Sequence, residues 1–393
     1  MTRPTIFLVP IEPLAERYTE QWYRRIPEFF ELLNYNTVTI DGIALENEVK
    51  VGTFLDINST CHYKSTQLQK IASLFHQQQV PQGAVFFFYD LEFWGVEQVR
   101  LLADMNKVGI SIVGFMHAAS YTKEDAFAIA APYQQFTEVG WIAACDAVFV
   151  GSEYHRQAII ERRLKPLGMV NLADWIYNTG NPVFVDEYKK FRVKRRKKFV
   201  LTNRPDKEKR PLETLQLFAK LKGMYPDWEF VVTTGRSTFR GTDKKAIEYA
   251  HELQKQKVIT IKAGLTKDEY HRELASAMFM VTHSIEENYG YCIAEAIHYG
   301  VIPLMRRGLS HDEFVAYGAG TKRLSSIGYT FTNRGKSKDI SVARNWIEYV
   351  ESEGDLEPHQ LSLYTGALDE IEARIRSLLY TPEFIVSETT GSA

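Results

Sequence analysis

The chain has 393 residues, of which 45% are hydrophobic and 24% are charged, so it is long enough to bury two cores of ordinary size. Its formal net charge of −2 excludes an overall basic character, and any nucleic-acid partner must therefore be met by a local patch. No stretch reaches the roughly 20 apolar residues that span a bilayer, and the first apolar run is too short for a signal peptide, which predicts a cytoplasmic protein.

Strand-like apolar runs alternate with helical stretches along the chain. Two successive arrays of this kind predict an α/β protein with two doubly wound, Rossmann-like domains, over residues 1–188 and 189–357, followed by a helix and tail within 358–393. Ligands of such sheets bind beyond the carboxyl ends of the strands, so two facing domains place the site in a cleft. The runs lie at residues 6–10, 85–89, 111–116, 147–151, 199–202, 230–234, 258–262 and 278–282.

The first array carries candidate residues for an acceptor. Asp90 and His117 each follow a predicted strand, which turns both towards the cleft, although either could be a structural cap. The first βα loop, VPIEPLAERYTEQWYRRIPEFF, contributes Arg17 and Tyr18, and Trp94 follows the strand that ends near Asp90. We expect these residues to contact the acceptor.

Between the two arrays, residues 189–198 read KKFRVKRRKK, with Lys or Arg at eight of ten positions. A solvated linker is one interpretation of such a run. The other interpretation is a binding surface for a polyanionic acceptor, formed by Lys194, Arg195 and Arg196. Lysine and arginine bind phosphate groups without regard to the sequence of a nucleic acid. A nuclear localisation signal is a third possibility.

Cysteine usage indicates no disulfide and no metal site. Cys61, Cys145 and Cys292 lie far apart, mostly in apolar surroundings and without metal-ligand spacing. They are interpreted as reduced core residues. No cluster of Asp, His or Cys has metal spacing either, so we expect no metal.

Two cations flank one loop at the start of the second array. The sequence KKFVLTNRPDKEKRPLETLQLFAKL predicts a buried strand at 199–202, a loop at 203–210 and an amphipathic helix that begins at Pro211. Arg204 and Lys209 lie five residues apart in that loop.

The stretch VTHSIEENYGYCIAEAIHYGVIP, residues 281–303, sets two carboxylates around a helix start. The sequence predicts a strand to 282, a polar loop, and a helix over 289–299 that Gly300 caps. Glu287 then precedes the helix and Glu295 lies within it. Backbone N–H groups around residues 289–291 would offer a positive helix end to a phosphate, and the carboxylates would accept hydrogen bonds from hydroxyl groups. An anion pocket flanked by hydroxyl acceptors suits a sugar nucleotide.

These motifs resemble the donor site of retaining glycosyltransferases of the GT-B fold, especially family 4. The resemblance rests on Glu-x7-Glu with Gly290 between its ends, followed by Ala296, Gly300 and Pro303. It implies that the last helix, about residues 358–379, crosses back onto the first domain. It also implies that Glu287 holds hydroxyls of the transferred sugar and Glu295 the nucleotide ribose.

By the same resemblance, Arg204 and Lys209 neutralise the donor diphosphate and His117 touches the sugar near the reacting carbon. The family usually has Gly where this chain has Arg210, and it often has a Gly-rich first βα loop, which is missing here. The donor-binding set that the resemblance implies comprises Glu287, Asn288, Tyr289, Gly290, Tyr291, Glu295 and, in the loop after the 230–234 strand, Gly235.

The mechanism that the resemblance implies is front-face transfer with retention of configuration. The leaving diphosphate oxygen takes the acceptor proton, while Arg204 and Lys209 stabilise the leaving charge and no protein nucleophile is needed. The co-substrate expected from the family is a nucleotide sugar, UDP-glucose first, with no further cofactor.

A second resemblance covers most of the first domain. Segments DINSTCHYKSTQLQKI, FYDLEFWGVE, FMHAASY and VFVGSEYHRQAI look like glycosyltransferase-like proteins of bacteriophage genomes. This implies an acceptor in double-stranded DNA with hydroxymethylated bases, in the cytoplasm of an infected host. Four aromatic residues would then be candidates to stack on an extruded base: Tyr18, Trp22, Trp94 and Tyr121.

Two alternatives stay open. A transferase that acts on a polysaccharide, a lipid or a small metabolite would share the donor motifs and differ in the first domain. A non-catalytic nucleic-acid binder would use the 189–198 run alone, and it would leave Glu287, Glu295, Arg204 and Lys209 without a purpose.

Overall fold

The computed structural model describes residues 3–14, 17–45, 57–122, 128, 131–184, 193–318, 330–331, 336–353 and 366–379. These residues form two six-stranded sheets, one in each half of the chain, in which the recorded strand pairs are all parallel. The prediction of two doubly wound domains is confirmed. The predicted boundary between residues 188 and 189 lies outside the described residues.

The first sheet has the order β2-β1-β3-β4-β5-β6, so β1, β3 and β4 are neighbours in its middle. The loops that leave their carboxyl ends therefore gather at one edge. Its elements are β1 (Thr5–Val9), α1 (Tyr18–Leu32), β2 (Asn36–Thr39), α2 (Ile57–His76), β3 (Ala84–Phe88), α3 (Val96–Asn106), β4 (Ile110–Phe115), α4 (Ala131–Ala144), β5 (Ala147–Val150), α5 (Glu153–Ile159) and β6 (Ile176–Asn178).

The second sheet has the order β12-β11-β10-β7-β8-β9, which brings β10, β7 and β8 together. The loops after these three strands again share an edge. Its elements are β7 (Lys198–Leu201), α6 (Pro211–Met224), β8 (Glu229–Thr233), α7 (Lys244–Lys255), β9 (Thr260–Lys262), α8 (Lys267–Ala275), β10 (Phe279–Thr282), α9 (Tyr291–His298), β11 (Ile302–Arg306), α10 (His311–Gly318), β12 (Thr330–Phe331) and α11 (Lys336–Glu353).

Both sheets are covered on both faces, which explains why the central strands are apolar throughout. Every residue of β3, AVFFF, is buried, and so is every residue of β10, FMVT. Along β3, Phe86 and Phe88 face one core cluster while Val85 and Phe87 face the other. Strands buried on two sides lack the alternation of a half-exposed strand, and they belong to parallel sheets flanked by helices.

The last described helix, α12 (Ala367–Leu379), packs on the first domain. Its residues Leu368, Ile371 and Ile375 join the core cluster that contains Trp22. The buried Glu372 carboxylate accepts a hydrogen bond of 2.7 Å from the Tyr35 hydroxyl. The chain therefore returns to its first domain after completing the second. Residues 358–365 of the predicted helix lie outside the described residues.

Two further expectations from the sequence concern membrane-spanning segments and the cysteines. Among the described helices, none is both long enough and apolar enough to cross a membrane. Cys61, Cys145 and Cys292 form no disulfide, and Cys145 is buried while the other two are partly exposed.

Candidate active site at the facing edges of the two sheets

The carboxyl ends of the two sheets face each other and are joined by direct hydrogen bonds. Asn288, in the loop after β10, donates its side-chain N–H to the backbone oxygen of His117, which follows β4, over 2.8 Å. A close aromatic contact lies nearby, because Tyr18 at the start of α1 stacks on Tyr291 at the start of α9, with ring centroids 4.3 Å apart. Residues predicted from two separate motifs thus meet in one cleft.

The centre of the second domain's edge is an ion pair between Lys209 and Glu287. The Lys209 Nζ atom lies 2.7 Å from Glu287 Oε2 and 3.1 Å from the backbone oxygen of Glu286. The two side chains are only 14% and 17% exposed, so little water screens the pair. Burial acts against the charge of Lys209, yet the Glu287 carboxylate raises the pKa of this lysine above its ordinary value. A permanent cation and a carboxylate therefore stand side by side at the edge of the sheet.

Arg204 lies in the same loop and adds a second cation. Its guanidinium contacts the Asp206 carboxylate at 2.9 Å and the Glu208 carboxylate at 3.4 Å. Arg210, which stands where the resembled family has Gly, adopts a left-handed backbone with φ of 46°. Glycine adopts that conformation without strain, whereas a residue with a Cβ atom rarely does. Here an arginine takes this left-handed conformation directly before α6.

The turn before α9 presents a helix N-terminus to the cleft. Gly290 is the N-cap residue, with φ of 95°, and provides no side-chain cap for the first turn. The positive end of the α9 dipole lies at this turn, and a helix N-terminus of this kind favours an anion. Tyr289 and Tyr291 flank this glycine, and the part-buried Tyr289 packs near Val183 of the first domain. Asn288, by contrast, uses its side chain to bridge the domains.

Glu295 lies one turn further into α9, and its carboxylate is positioned by a neighbouring helix. The Tyr270 hydroxyl of α8 donates a hydrogen bond of 2.7 Å to Glu295 Oε2. This hydrogen bond fixes the direction in which the Glu295 carboxylate points. Gly235 lies at the same edge, in the exposed loop after β8.

His117 is held in one tautomer. Its Nε2 atom lies 2.7 Å from the backbone oxygen of Tyr89, and a carbonyl oxygen can only accept, so Nε2 carries the proton. Burial lowers the pKa of His117, against the opposing effect of the nearby Asp90 carboxylate. The ring is therefore neutral near pH 7, and its Nδ1 atom is the one with an acceptor lone pair.

Asp90 lies near His117 and is paired with Lys64, a residue outside the predicted site. Lys64 Nζ is 2.7 Å from Asp90 Oδ2, and it also contacts the backbone oxygen of Glu92. Burial alone would raise the pKa of Asp90, yet the ammonium group of Lys64 holds it below its ordinary value. Lys64 lies over the Trp94 ring at 5.8 Å, so one cation links both predicted acceptor residues. Arg17, whose backbone oxygen lies 3.5 Å from Lys267 Nζ of the second domain, precedes α1 at the mouth of the cleft.

The burial of two aromatic residues contradicts the stacking hypothesis for them. Trp22 is fully buried and donates its indole N–H to the backbone oxygen of Pro182, and Tyr121 is 4% exposed and pairs with His155. Neither ring can receive an extruded base without rearrangement of the core, whereas Tyr18 and Trp94 remain partly exposed.

The basic residues are placed away from the Lys209–Glu287 pair. Lys194, Arg195 and Arg196 precede β7, and the cleft lies beyond the opposite end of that strand. Arg195 donates to the backbone oxygen of Tyr299, and Arg196 pairs with Glu229 at 3.3 Å. Strand direction alone could have shown this from the sequence. Their role in binding an acceptor stays a prediction, and residues 189–192 lie outside the described residues.

Lys64 carries a sequence signal that could have been used. It lies in α2 on the same face as Thr60, Gln67 and Ile71, all of which are buried. A lysine on the buried face of a helix requires an anionic or carbonyl partner. No comparable signal marks Tyr270. Within the described ranges, no group of three or more His, Cys, Asp or Glu side chains is arranged to hold a metal ion.

Two facing Rossmann-like domains, with the chain end returned to the first, define the GT-B architecture. The sequence agrees with this class, since residues 185–337 match the family model described as "Glycosyl transferases group 1". The matched segment contains every strand of the second sheet and none of the first. None of the curated proteins matches the chain in sequence.

Several solved structures are similar to this chain in fold. The catalytic domain of starch synthase IV from Arabidopsis thaliana, bound to ADP and acarbose, aligns with a TM-score of 0.67 and 11% identity, over 96% of this chain and 100% of that one. Sucrose-phosphate synthase from Thermosynechococcus elongatus aligns with a TM-score of 0.62 and 12% identity, over 96% and 95% of the two chains. The pneumococcal O-GlcNAc transferase GtfA, in complex with UDP and GlcNAc, aligns with a TM-score of 0.56 and 14% identity over 81% of this chain. This chain spans 61% of the length of that transferase.

Proposed function

We propose that the protein is a retaining glycosyltransferase that moves a hexose, glucose first among the candidates, from a nucleotide sugar to a hydroxyl group. The observation that carries the proposal is the buried Lys209–Glu287 pair at the carboxyl edge of the second sheet, beside an N-terminus of α9 with no side-chain cap. A cation next to amide donors suits a diphosphate, and a carboxylate next to both suits sugar hydroxyls.

The donor would be bound by a change of partners at this pair. The diphosphate brings negative charge to Lys209 and Arg204, which leaves Glu287 able to accept hydrogen bonds from hydroxyl groups of the sugar. Glu295, fixed by Tyr270 at 2.7 Å, would accept from the ribose hydroxyls. UDP-glucose is the first donor to test, and ADP-glucose the second.

Catalysis would consist of charge stabilisation and orientation. As the bond to the diphosphate breaks, Lys209 and Arg204 stabilise the charge that develops on the leaving oxygen. The leaving oxygen takes the proton of the acceptor hydroxyl on the same face of the sugar, which retains the configuration. Because these two cations supply positive charge at the diphosphate, we propose that transfer needs no added metal. A chelator should then leave turnover unchanged.

The arrangement of the two carboxylates does not suit a glycosidase. That chemistry needs an acid and a nucleophile or base on the two sides of the scissile bond, about 5 to 9.5 Å apart. Here Glu287 is paired with Lys209, and Glu295 is bonded to Tyr270 inside the second domain. Retention can be tested by proton NMR of the product, in which the anomeric coupling constant must match that of the donor. An inverted anomer would refute front-face transfer.

For the acceptor, we propose a hydroxymethylated base in phage DNA, with the protein acting in the cytoplasm of the infected cell. The first-domain motifs support this choice, and the partly exposed Tyr18 and Trp94 offer aromatic surface at the cleft. A polysaccharide or small-metabolite acceptor is the second candidate. The position of Lys194, Arg195 and Arg196 before β7 favours it, because a DNA backbone held there would be distant from Lys209.

Mass spectrometry of digested nucleosides tests the donor and the acceptor together. DNA that is unmodified, or hydroxymethylated at cytosine or uracil, is incubated with the protein and a pool of sugar nucleotides. A hexose-sized mass gain on one hydroxymethylated base supports the proposal. Donor hydrolysis without any gain would move the acceptor to another class, and the absence of both would refute the transferase.

A further inference from the structure

The loop that carries Glu287 is held from the other domain by the corner between β5 and α5. The corner comprises Gly151, Ser152 and the first turn of α5, and we call it the 151–154 corner. Ser152 Oγ donates a hydrogen bond of 2.5 Å to the backbone oxygen of Asn288 and accepts one of 3.1 Å from the backbone N–H of His155. Ser152 is 2% exposed, so both bonds are made away from water.

A second contact ties the same corner to α10. The Glu313 carboxylate accepts hydrogen bonds from the backbone N–H groups of Glu153, at 2.9 Å, and Tyr154, at 2.8 Å. Those two amides belong to the first turn of α5, which has no partners for them within the helix. A carboxylate from the second domain thus completes a helix of the first.

Glu313 and the Glu287 loop share one anchor. The Ser310 hydroxyl lies 3.1 Å from the backbone oxygen of Glu287 and 2.9 Å from that of Tyr289, and Ser310 is 1% exposed. Ser310 immediately precedes α10, which carries Glu313 three residues later. The Glu287 loop is therefore hydrogen-bonded to Ser310 of its own domain and to Ser152 of the first domain.

Gly151 allows the domains to approach closely at this point. A Cβ atom built on Gly151 would lie 2.9 Å from Asn181 Oδ1 and 3.0 Å from the Cβ atom of Tyr289. Contacts that short force at least one neighbour to move. Because Tyr289 belongs to the second domain, a methyl group at position 151 would act as a wedge between the domains.

We propose that the 151–154 corner positions Glu287 relative to His117. Asn288 is the link, since its backbone oxygen is bound by Ser152 and its side-chain amide holds the backbone oxygen of His117. When the two domains pack against each other at this corner, the Glu287 carboxylate and His117 are held at the separation that sugar transfer requires. The inference rests on the proposed function, but its structural half can be tested without any substrate.

Hydrogen–deuterium exchange on the protein alone tests that half. Gly151→Ala is compared with Gly140→Ala, a matched control within α4 at which a Cβ atom meets nothing within 4 Å. Gly151→Ala is expected to remove the protection of the Glu153 and Tyr154 amides from exchange. Glu313→Gln is expected to weaken the protection of the same two amides. Equal exchange in the two glycine variants would overturn the inference, whether or not the protein is a transferase.

Kinetics test the positioning role. Ser152→Ala should lower kcat for sugar transfer on the order of 10- to 100-fold, since small misplacements of reacting groups have effects of that size. The affinity of this variant for free UDP or ADP should stay that of the wild type, because the residues proposed to bind the nucleotide lie in the second domain.

Ser377→Ala, which alters an exposed hydroxyl on α12, is the control for Ser152→Ala. Unchanged kcat in Ser152→Ala, with the protection of the Glu153 and Tyr154 amides lost, would refute positioning. A loss of nucleotide affinity as large as the loss of kcat would refute it as well. If the wild type binds and turns over no sugar nucleotide, the proposed function fails first and the positioning role with it, while the exchange result still decides the contact between the domains.

Discussion

Lys209→Ala removes the cation that the proposed mechanism needs most. Lys209 Nζ lies 2.7 Å from Glu287, and both side chains are more than four-fifths buried. Loss of one partner from a buried ion pair costs about 3 to 5 kcal/mol of stability, because the remaining charge stays desolvated. Loss of a donor that stabilises a developing oxyanion costs about 2.7 to 4 kcal/mol in the transition state, or roughly 10² to 10³ in kcat. We therefore expect a less stable protein with turnover reduced by at least two orders of magnitude.

The assay is the release of nucleoside diphosphate from UDP-glucose and ADP-glucose at saturating concentration, with stability measured separately by urea unfolding. Lys207→Ala is the matched control, because Lys207 is exposed, has the same charge and lies two residues away in the same loop. It should keep wild-type turnover. A Lys209→Ala protein that remains folded and turns over donor at near-normal rates would refute the role of this lysine.

Three further predictions follow from single contacts. Tyr270→Phe removes the hydroxyl that orients Glu295 and should raise KM for the donor about tenfold with little change in kcat, whereas Tyr133→Phe, on an exposed side chain, should change neither in the same steady-state assay. Burial lowers the pKa of His155 from 6.5 to about 3, so the unfolded chain binds a proton that the folded chain rejects. The free energy of unfolding should therefore fall as pH drops below about 6.5, and this residue should contribute up to roughly 1.4 kcal/mol per pH unit. In urea titrations between pH 6.5 and 5.5, His155→Gln should remove this contribution from the dependence of the unfolding free energy on pH. Trp22→Ala should destabilise the first domain by about 3 to 5 kcal/mol in the same titrations, and unchanged stability with a specific loss of DNA binding would contradict its place in the core.

Local signals in the sequence predicted the framework of the site. The helix predicted to begin at Pro211 does begin there, because proline fits the first turn, in which its missing N–H has no partner to lose. Gly300 follows the end of α9 with φ of 68°, as the capping prediction required. The predicted strands before Arg204 and Glu287 end within one residue of those observed, at Leu201 and Thr282.

Local sequence patterns do not predict contacts between residues that are far apart in the chain. Lys209 and Glu287 are 78 residues apart, and Asp90 is bound by a lysine 26 residues earlier. The short edge strand β2, NTVT, is mostly exposed and was missed because it has no apolar run. Burial of Trp22 depends on how α1 packs against the sheet, which spacing alone does not determine.

Isothermal titration calorimetry with UDP-glucose and ADP-glucose tests the central claim most directly, since it requires no acceptor. The proposed donor site predicts saturable binding of at least one of them to the wild-type protein, with affinity strongly reduced in Lys209→Ala and retained in Lys207→Ala. No binding of either donor, or equal affinity in the two lysine variants, would contradict the assignment of the Lys209–Glu287 pair as a sugar-nucleotide site.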